Sequence, residues 1–177
     1  MRIFIAIEVP EDISSSIRNI QDNLKTDTIK ATYPKEFHLT LHFIGEIDEV
    51  ELENIKSSLN SIEFESFKII LDKIGVFPNK DYIRVVWLGI KETEKIESLA
   101  QGVKKVFDTE NSKQFHPHIT LARIKHVNDK EKFNQMLKNI NISPLEFPVK
   151  SVKLIKSILH KDGPVYNVLM QINAKNN

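Results

Sequence analysis

The sequence predicts an α+β fold made of a duplicated strand–helix–strand–helix–strand unit. Three observations carry that prediction. Short apolar runs of period two alternate with stripes of helical spacing. Features of the first half return about 80 residues later. The tetrapeptide His38-Leu39-Thr40-Leu41 comes back as His118-Ile119-Thr120-Leu121.

The elements follow in order. Residues 3–7 read as a buried strand, broken at Val9-Pro10. Ile13, Ile17, Ile20 and Leu24 then form one helical stripe, with Pro10, Glu11 and Asp12 suited to its first turn. Thr32-Tyr33-Pro34 marks a loop. A second strand runs 38–44 and stops at Gly45. Asp48 opens a helix, and Glu51 completes a capping-box spacing ahead of Leu52, Ile55 and Leu59. Residues 64–77 read as one long strand or two short ones, 78–81 as a turn, and 82–90 as the partner strand of a hairpin.

The second unit repeats the first. Ile83, Val85 and Trp87 echo Ile3, Ile5 and Ile7, and Ile96, Ala100, Val103 and Phe107 echo the first helix. Asn128 and Glu131 lie 80 residues after Asp48 and Glu51 and open a helix carrying Phe133, Met136, Leu137 and Ile140. A strand over 149–159, a turn at Lys161-Asp162-Gly163-Pro164 and a strand over 166–172 close the chain. The expectation is a single bilobal domain over residues 1–177 with a pseudo-twofold repeat, its motifs at 38–41 and 118–121 and a cleft between the lobes.

Composition narrows the function classes. The 177 residues carry 25 Lys+Arg against 24 Asp+Glu, a formal net charge of +1. That balance excludes a generally cationic nucleic-acid wrapper but not a local basic site. There is no cysteine, which removes disulfides, thiolate metal sites and thiol nucleophiles. No run approaches the roughly 18 apolar residues of a membrane span. The apolar start is too short for a signal peptide, so a cytoplasmic protein is expected. Five glycines form neither a dinucleotide loop nor a P-loop.

The chemistry sits in the repeated tetrapeptides. Side chains alternate along a strand, so His38 and Thr40 share one face and Leu39 and Leu41 the other. The same holds for His118 and Thr120. Each strand therefore packs an apolar face on helices and offers an imidazole and a hydroxyl to the opposite side. Two imidazoles near neutral pKa can act together as proton donor and acceptor. Threonine hydroxyls can hold phosphate oxygens. In-line displacement at phosphorus needs that pair on opposite sides of the reacting atom.

In their fuller forms, Phe37-His38-Leu39-Thr40-Leu41-His42-Phe43-Ile44-Gly45 and Phe115-His116-Pro117-His118-Ile119-Thr120-Leu121-Ala122-Arg123, the motifs resemble the two-histidine phosphoesterase superfamily. Within it the chain is most similar to the RNA 2′,3′-cyclic phosphodiesterases, also called 2′-5′ RNA ligases. The opening Arg2-Ile3-Phe4-Ile5-Ala6-Ile7 is similar as well. The resemblance implies a bilobal α+β fold, two mainly antiparallel sheets around a central cleft with helices outside. It implies opening of an RNA 2′,3′-cyclic phosphate end to a 2′-phosphate, and in some members reversible 2′-5′ joining; the paired histidines offer that arrangement without metal, and no cofactor is expected. By motif, His38 would be the proton donor to the leaving 3′ oxygen and His118 the proton acceptor from water. Thr40, Thr120 and Arg123 would bind the substrate phosphate. The implied partner is RNA with a cyclic phosphate end, transfer-RNA fragments among the candidates; the protein itself is expected to be a monomer with no membrane partner.

Some positions stay open at this level. Regular alternation from His118 sets Arg123 on the wrong face, so it needs a strand end or a bulge to reach the site. Regular alternation puts His42 on the His38 face, as a cleft residue or, preferred, a solvated one. His116 shapes the loop before the second motif strand or, less favoured, bonds within the site. Lys30, Lys35, Lys113, Arg123 and Lys125 flank the motifs and could meet phosphates. Phe37, Phe43 and Phe115 could stack on bases, with core packing preferred for Phe43. His126 and His160 have no assigned role. A zinc site from His116, His118, His38 and His42 is one rival reading. A non-catalytic RNA- or nucleotide-binding protein, or a phosphodiesterase of another cyclic nucleotide, are the others.

Overall fold

A computed structural model describes residues 1–107, 115–161 and 163–175. Lys113 and Asp162 lie outside the described residues. β1 (Arg2–Glu8) is buried on both faces, with Ile3, Ile5 and Ile7 on one and Phe4 and Ala6 on the other. That is the pattern of a central strand. Pro10 stands at the N-cap of α1 (Glu11–Asp22), where its missing N–H costs nothing. β2 (Ile29–Thr32) and β3 (His38–Glu46) follow. Gly45, at φ 104, ends the regular part of β3 in a backbone state that disfavours any Cβ.

Asp48 caps α2 (Glu49–Leu59). Its carboxylate accepts from the Glu51 N–H, and the Glu51 carboxylate accepts from the Asp48 N–H, so the predicted capping box is present. β4 (Phe67–Asn79) is one long strand rather than two. The Asn79 side chain accepts from the N–H groups of Asp81 and Tyr82 and turns the chain into β5 (Tyr82–Ile90). α3 (Glu94–Val106) and β6 (His118–Val127) come next. α4 (Lys130–Asn139) is capped by Asp129, not Asn128, because the Asp129 carboxylate accepts from the Lys132 N–H. β7 (Leu145–Val149), β8 (Ser151–His160) and β9 (Gly163–Asn173) complete the chain.

The strands form one antiparallel sheet in the order β7-β4-β5-β6-β3-β1-β8-β9, with β2 added on β6. The α+β class with outer helices is as expected. The two expected sheets are halves of this one sheet, joined by the single pair Leu39↔Ile119 between β3 and β6. Both residues are fully buried, so a continuous core runs under the seam. Ile17, Leu59, Ile96 and Phe133, one from each helix, pack with Ile3, Ile5, Ile7, Leu39, Leu41, Ile119 and Leu121 in that core. A smaller cluster of Phe4, Ala6 and Ile155, with Tyr166 against it, lies on the opposite face of the sheet. Among the described residues no helix is long and apolar enough to cross a membrane.

Candidate active site

The motif strands are neighbours. Counting outward from Leu39↔Ile119, antiparallel pairing sets His38 beside Thr120 and Thr40 beside His118. All four are half-buried on the face turned from the helices, while Leu39, Leu41, Ile119 and Leu121 are buried on the helix face.

Each imidazole has its own aromatic setting. The His38 ring lies 4.9 Å from the Phe4 ring and 5.0 Å, edge-on, from Tyr166. Burial, reinforced by the positive charges of Arg123 and His118, pushes its pKa down to about 4. The His118 ring lies 5.0 Å from Phe77 and 6.1 Å from Trp87. Burial lowers its pKa too; a hydrogen bond to the His116 carbonyl opposes this, and the charges of Arg123 and His116 add to the lowering. That bond, Nδ1 to the carbonyl, measures 2.6 Å. A carbonyl oxygen only accepts, so Nδ1 carries the proton and neutral His118 presents the lone pair of Nε2. His116 thus acts through its backbone, and its side chain is exposed.

Two bulges decide what else faces the motif histidines. Between β5 and β6, Val86 pairs with Ala122 and Trp87 with Thr120, so Leu121 is an extra residue. Leu121 and Ala122 are both fully buried, and Arg123 returns to the His118 face as an exposed residue. Its guanidinium acts electrostatically on His38, His118 and Tyr166 alike. The bulge resolves the phase conflict of regular alternation. Between β1 and β3, Ile5 pairs with His42 and Ala6 with Thr40, so Leu41 is the matching extra residue. His42 is therefore turned to the helix layer, where its ring stacks on Phe107 at 5.2 Å. It is neither a cleft residue nor a solvated one, and it is removed from the four-nitrogen zinc set. Phe43 takes the open face instead, 63% exposed and 5.9 Å from Phe4.

The preferences among the flanking aromatics are thus reversed. Phe37 is 4% exposed and Phe115 packs against the core, whereas Phe43 is open. Tyr166, Phe77 and Trp87 border the imidazoles and carried no signal of their own, because only non-local pairing brings them there. Lys30, Lys35 and Lys125 are exposed, as are His126 and His160. Among the described residues no three His, Asp or Glu side chains gather as a ligand set for a metal. Two surface depressions, of about 850 Å³ along α4 and about 650 Å³ beside α3, contain no motif residue.

A buried amide secures the bulge in β6. Gln21 of α1 is 5% exposed, and its Nε2 donates to the Leu121 carbonyl at 2.9 Å and to the Pro34 carbonyl at 3.0 Å. One side chain thus ties the loop before β3 to the kink in β6. Gln21→Leu leaves the buried Leu121 carbonyl and the part-buried Pro34 carbonyl short of a donor and is expected to cost about 2 kcal/mol in urea unfolding. It should also loosen the β6 bulge that turns Arg123 to the His118 face.

The family model described as LigT like Phosphoesterase matches residues 7–87 and again 88–166. The chain belongs to the LigT-like phosphoesterase family. Among relatives of this LigT-like chain is an RNA 2′,3′-cyclic phosphodiesterase of Methanocaldococcus jannaschii. It is 34% identical over 175 residues, 97% of this chain and 99% of the relative. Among solved structures, TT0787 of Thermus thermophilus superposes with a TM-score of 0.78 at 29% identity, over 98% of this chain and 97% of the other. Escherichia coli LigT complexed with 3′-AMP shares the LigT-like fold, with a TM-score of 0.76 at 23% identity over 99% and 98% of the two chains.

Proposed function

We propose that the open face between β3 and β6 opens the 2′,3′-cyclic phosphate end of RNA to a 2′-phosphate. The observation that carries this reading is the pair of unlike imidazoles across one strand seam, with an arginine turned in beside them. The Nε2 lone pair of His118 takes a proton from water as the water oxygen bonds to phosphorus. The bond from phosphorus to the 3′ oxygen breaks, and His38 gives that oxygen its proton. Thr40, Thr120 and Arg123 hold the non-bridging oxygens, a task that suits a guanidinium. The reaction is complete in these groups and one water.

The 63% exposure of Phe43 supports a second role on this face, a platform for the terminal base. Phe43→Ala is expected to raise KM several-fold with little change in stability, since an exposed ring adds little to the core. Steady-state kinetics with unfolding curves checks both parts. The matching bulges at Leu41 and Leu121, 80 residues apart, support the reading of one bilobal unit with an internal repeat. Reversible 2′-5′ joining, transfer-RNA fragments as substrates, a monomeric state and a cytoplasmic location belong to the same reading.

The test is end-group identification on an oligoribonucleotide carrying a 2′,3′-cyclic phosphate, with chelator present. A 2′-phosphate is the expected product. A 3′-phosphate would mean that the 2′ oxygen leaves, and loss of turnover restored by zinc would return the metal reading. Unchanged RNA bound tightly would favour a binding protein.

A further inference from the structure

The two halves of the active face differ in charge. On the β1 side, Glu8 pairs across the ladder with His38, and its carboxylate holds the ammonium of Lys153. On the β5 side, the residue paired with His118 is Gly89, and the residue paired with Gly89 from β4 is Lys73. A bulge at Asp72 sets Lys73 in that row, since Leu71 pairs with Ile90 and Lys73 with Gly89. Lys73, Gly89 and His118 thus form one line on the reacting face. Gly89 has no side chain, and the Lys73 stem fills the space. A Cβ on Gly89 would lie 2.9 Å from Lys73 Cγ and 2.8 Å from Lys73 Cε, with Trp87 Cζ3 also at 2.8 Å. The stem lies across the glycine and the rim of the indole, and the residue is exposed. Where the other half has Glu8 to neutralise Lys153, Gly89 offers Lys73 no carboxylate.

We infer that Lys73 binds a phosphodiester of the RNA strand leading to the cyclic end. It is a backbone subsite that distinguishes a polynucleotide from a mononucleotide. Two strand spacings, about 10 Å, separate the Lys73 and His118 backbones. A cyclic phosphate held between the histidines brings the strand's preceding phosphates within reach of a lysine there. A flexible ammonium suits a backbone phosphate, which needs charge rather than a fixed fork. This inference rests on the reading that the face takes an RNA end.

Lys73→Met keeps the stem over Gly89 and removes only the charge. It is compared with the unaltered protein on a nucleoside 2′,3′-cyclic monophosphate and on an oligoribonucleotide with the same end. The expected result is a three- to fivefold lower kcat/KM on the oligonucleotide, roughly the scale of one exposed ion pair. The mononucleotide should be unaffected, the salt dependence of oligonucleotide binding should flatten by about one ion, and Lys73→Arg should behave as the unaltered protein. Equal losses on both substrates, or no loss on the oligonucleotide, overturn the inference. An unaltered protein that opens neither substrate overturns the functional reading itself. One that opens both with no preference change in Lys73→Met overturns the subsite alone.

Discussion

His118→Ala and His38→Ala are each expected to lower the opening of an RNA cyclic phosphate end by about 10²- to 10⁴-fold. Both variants should fold, since each ring is half-buried on the open face and the core beneath belongs to Leu39 and Ile119. On the proposed mechanism the losses arise differently. Without His118 no lone pair takes the proton of the attacking water. Without His38 the 3′ oxygen leaves as an alkoxide, the poorest leaving form it has. Because the groups act in one step, the double variant should be little worse than either single one. Additive losses would mean that the two histidines serve separate events.

Arg123→Ala should cost about 10²- to 10³-fold, the scale of removing one donor aimed at developing charge. Arg123→Lys should recover little of it, since an ammonium lacks the two-pronged geometry. The same change should move the imidazoles in a direction that loss of packing would not. Arg123 lowers the pKa of both His38 and His118, so in the variant both should titrate higher than in the unaltered protein. His38 starts from about 4, held there by burial first and by Arg123 next. In the free protein it is therefore mostly neutral above that pH, whereas its donor role needs it charged. A bound phosphate anion favours the charged form of each ring and raises both. Accordingly kcat/KM, which reports the free protein, should peak on the acid side of the ordinary imidazole value of about 6.5. The limbs of kcat should lie at higher pH. Ring-proton titration by NMR, with and without inorganic phosphate, measures these shifts. A His38 titration unmoved in Arg123→Ala would contradict the placement.

The parts of the fold that rest on local pattern were legible in the sequence. The alternation in β1, the stripe of α1 and the Asp48–Glu51 box are signals confined to a few residues. β2 and β7 were not legible as strands, because four- and five-residue segments are held by distant partners rather than by their own pattern. The seam that makes two expected sheets into one is a single pair, and no periodicity encodes it.

The strand faces of His38, Thr40, His118 and Thr120 were legible because they precede the bulges and keep regular alternation. Everything after the bulges changed face. In β6 the apolar doublet Leu121-Ala122 carries the trace of a phase change. In β3 the corresponding doublet is Leu41-His42, and its polar ring hides the same trace. A one-residue insertion reverses every later side chain. For that reason His42, Phe43 and Arg123 were the positions where regular alternation gave the wrong side. Gln21 carried no local signal, since its two acceptors lie 13 and 100 residues away.

The most direct test of the acid and base assignments uses a cyclic substrate with sulfur in place of the leaving 3′ oxygen. A thiol has a pKa of about 8.5, so the departing thiolate needs no proton at neutral pH, whereas the step that activates water is unchanged. His38→Ala is expected to regain most of its lost rate on this substrate and His118→Ala to regain none. Recovery by His118→Ala instead would exchange the two roles. Recovery by neither would mean that His38 does not act on the leaving atom.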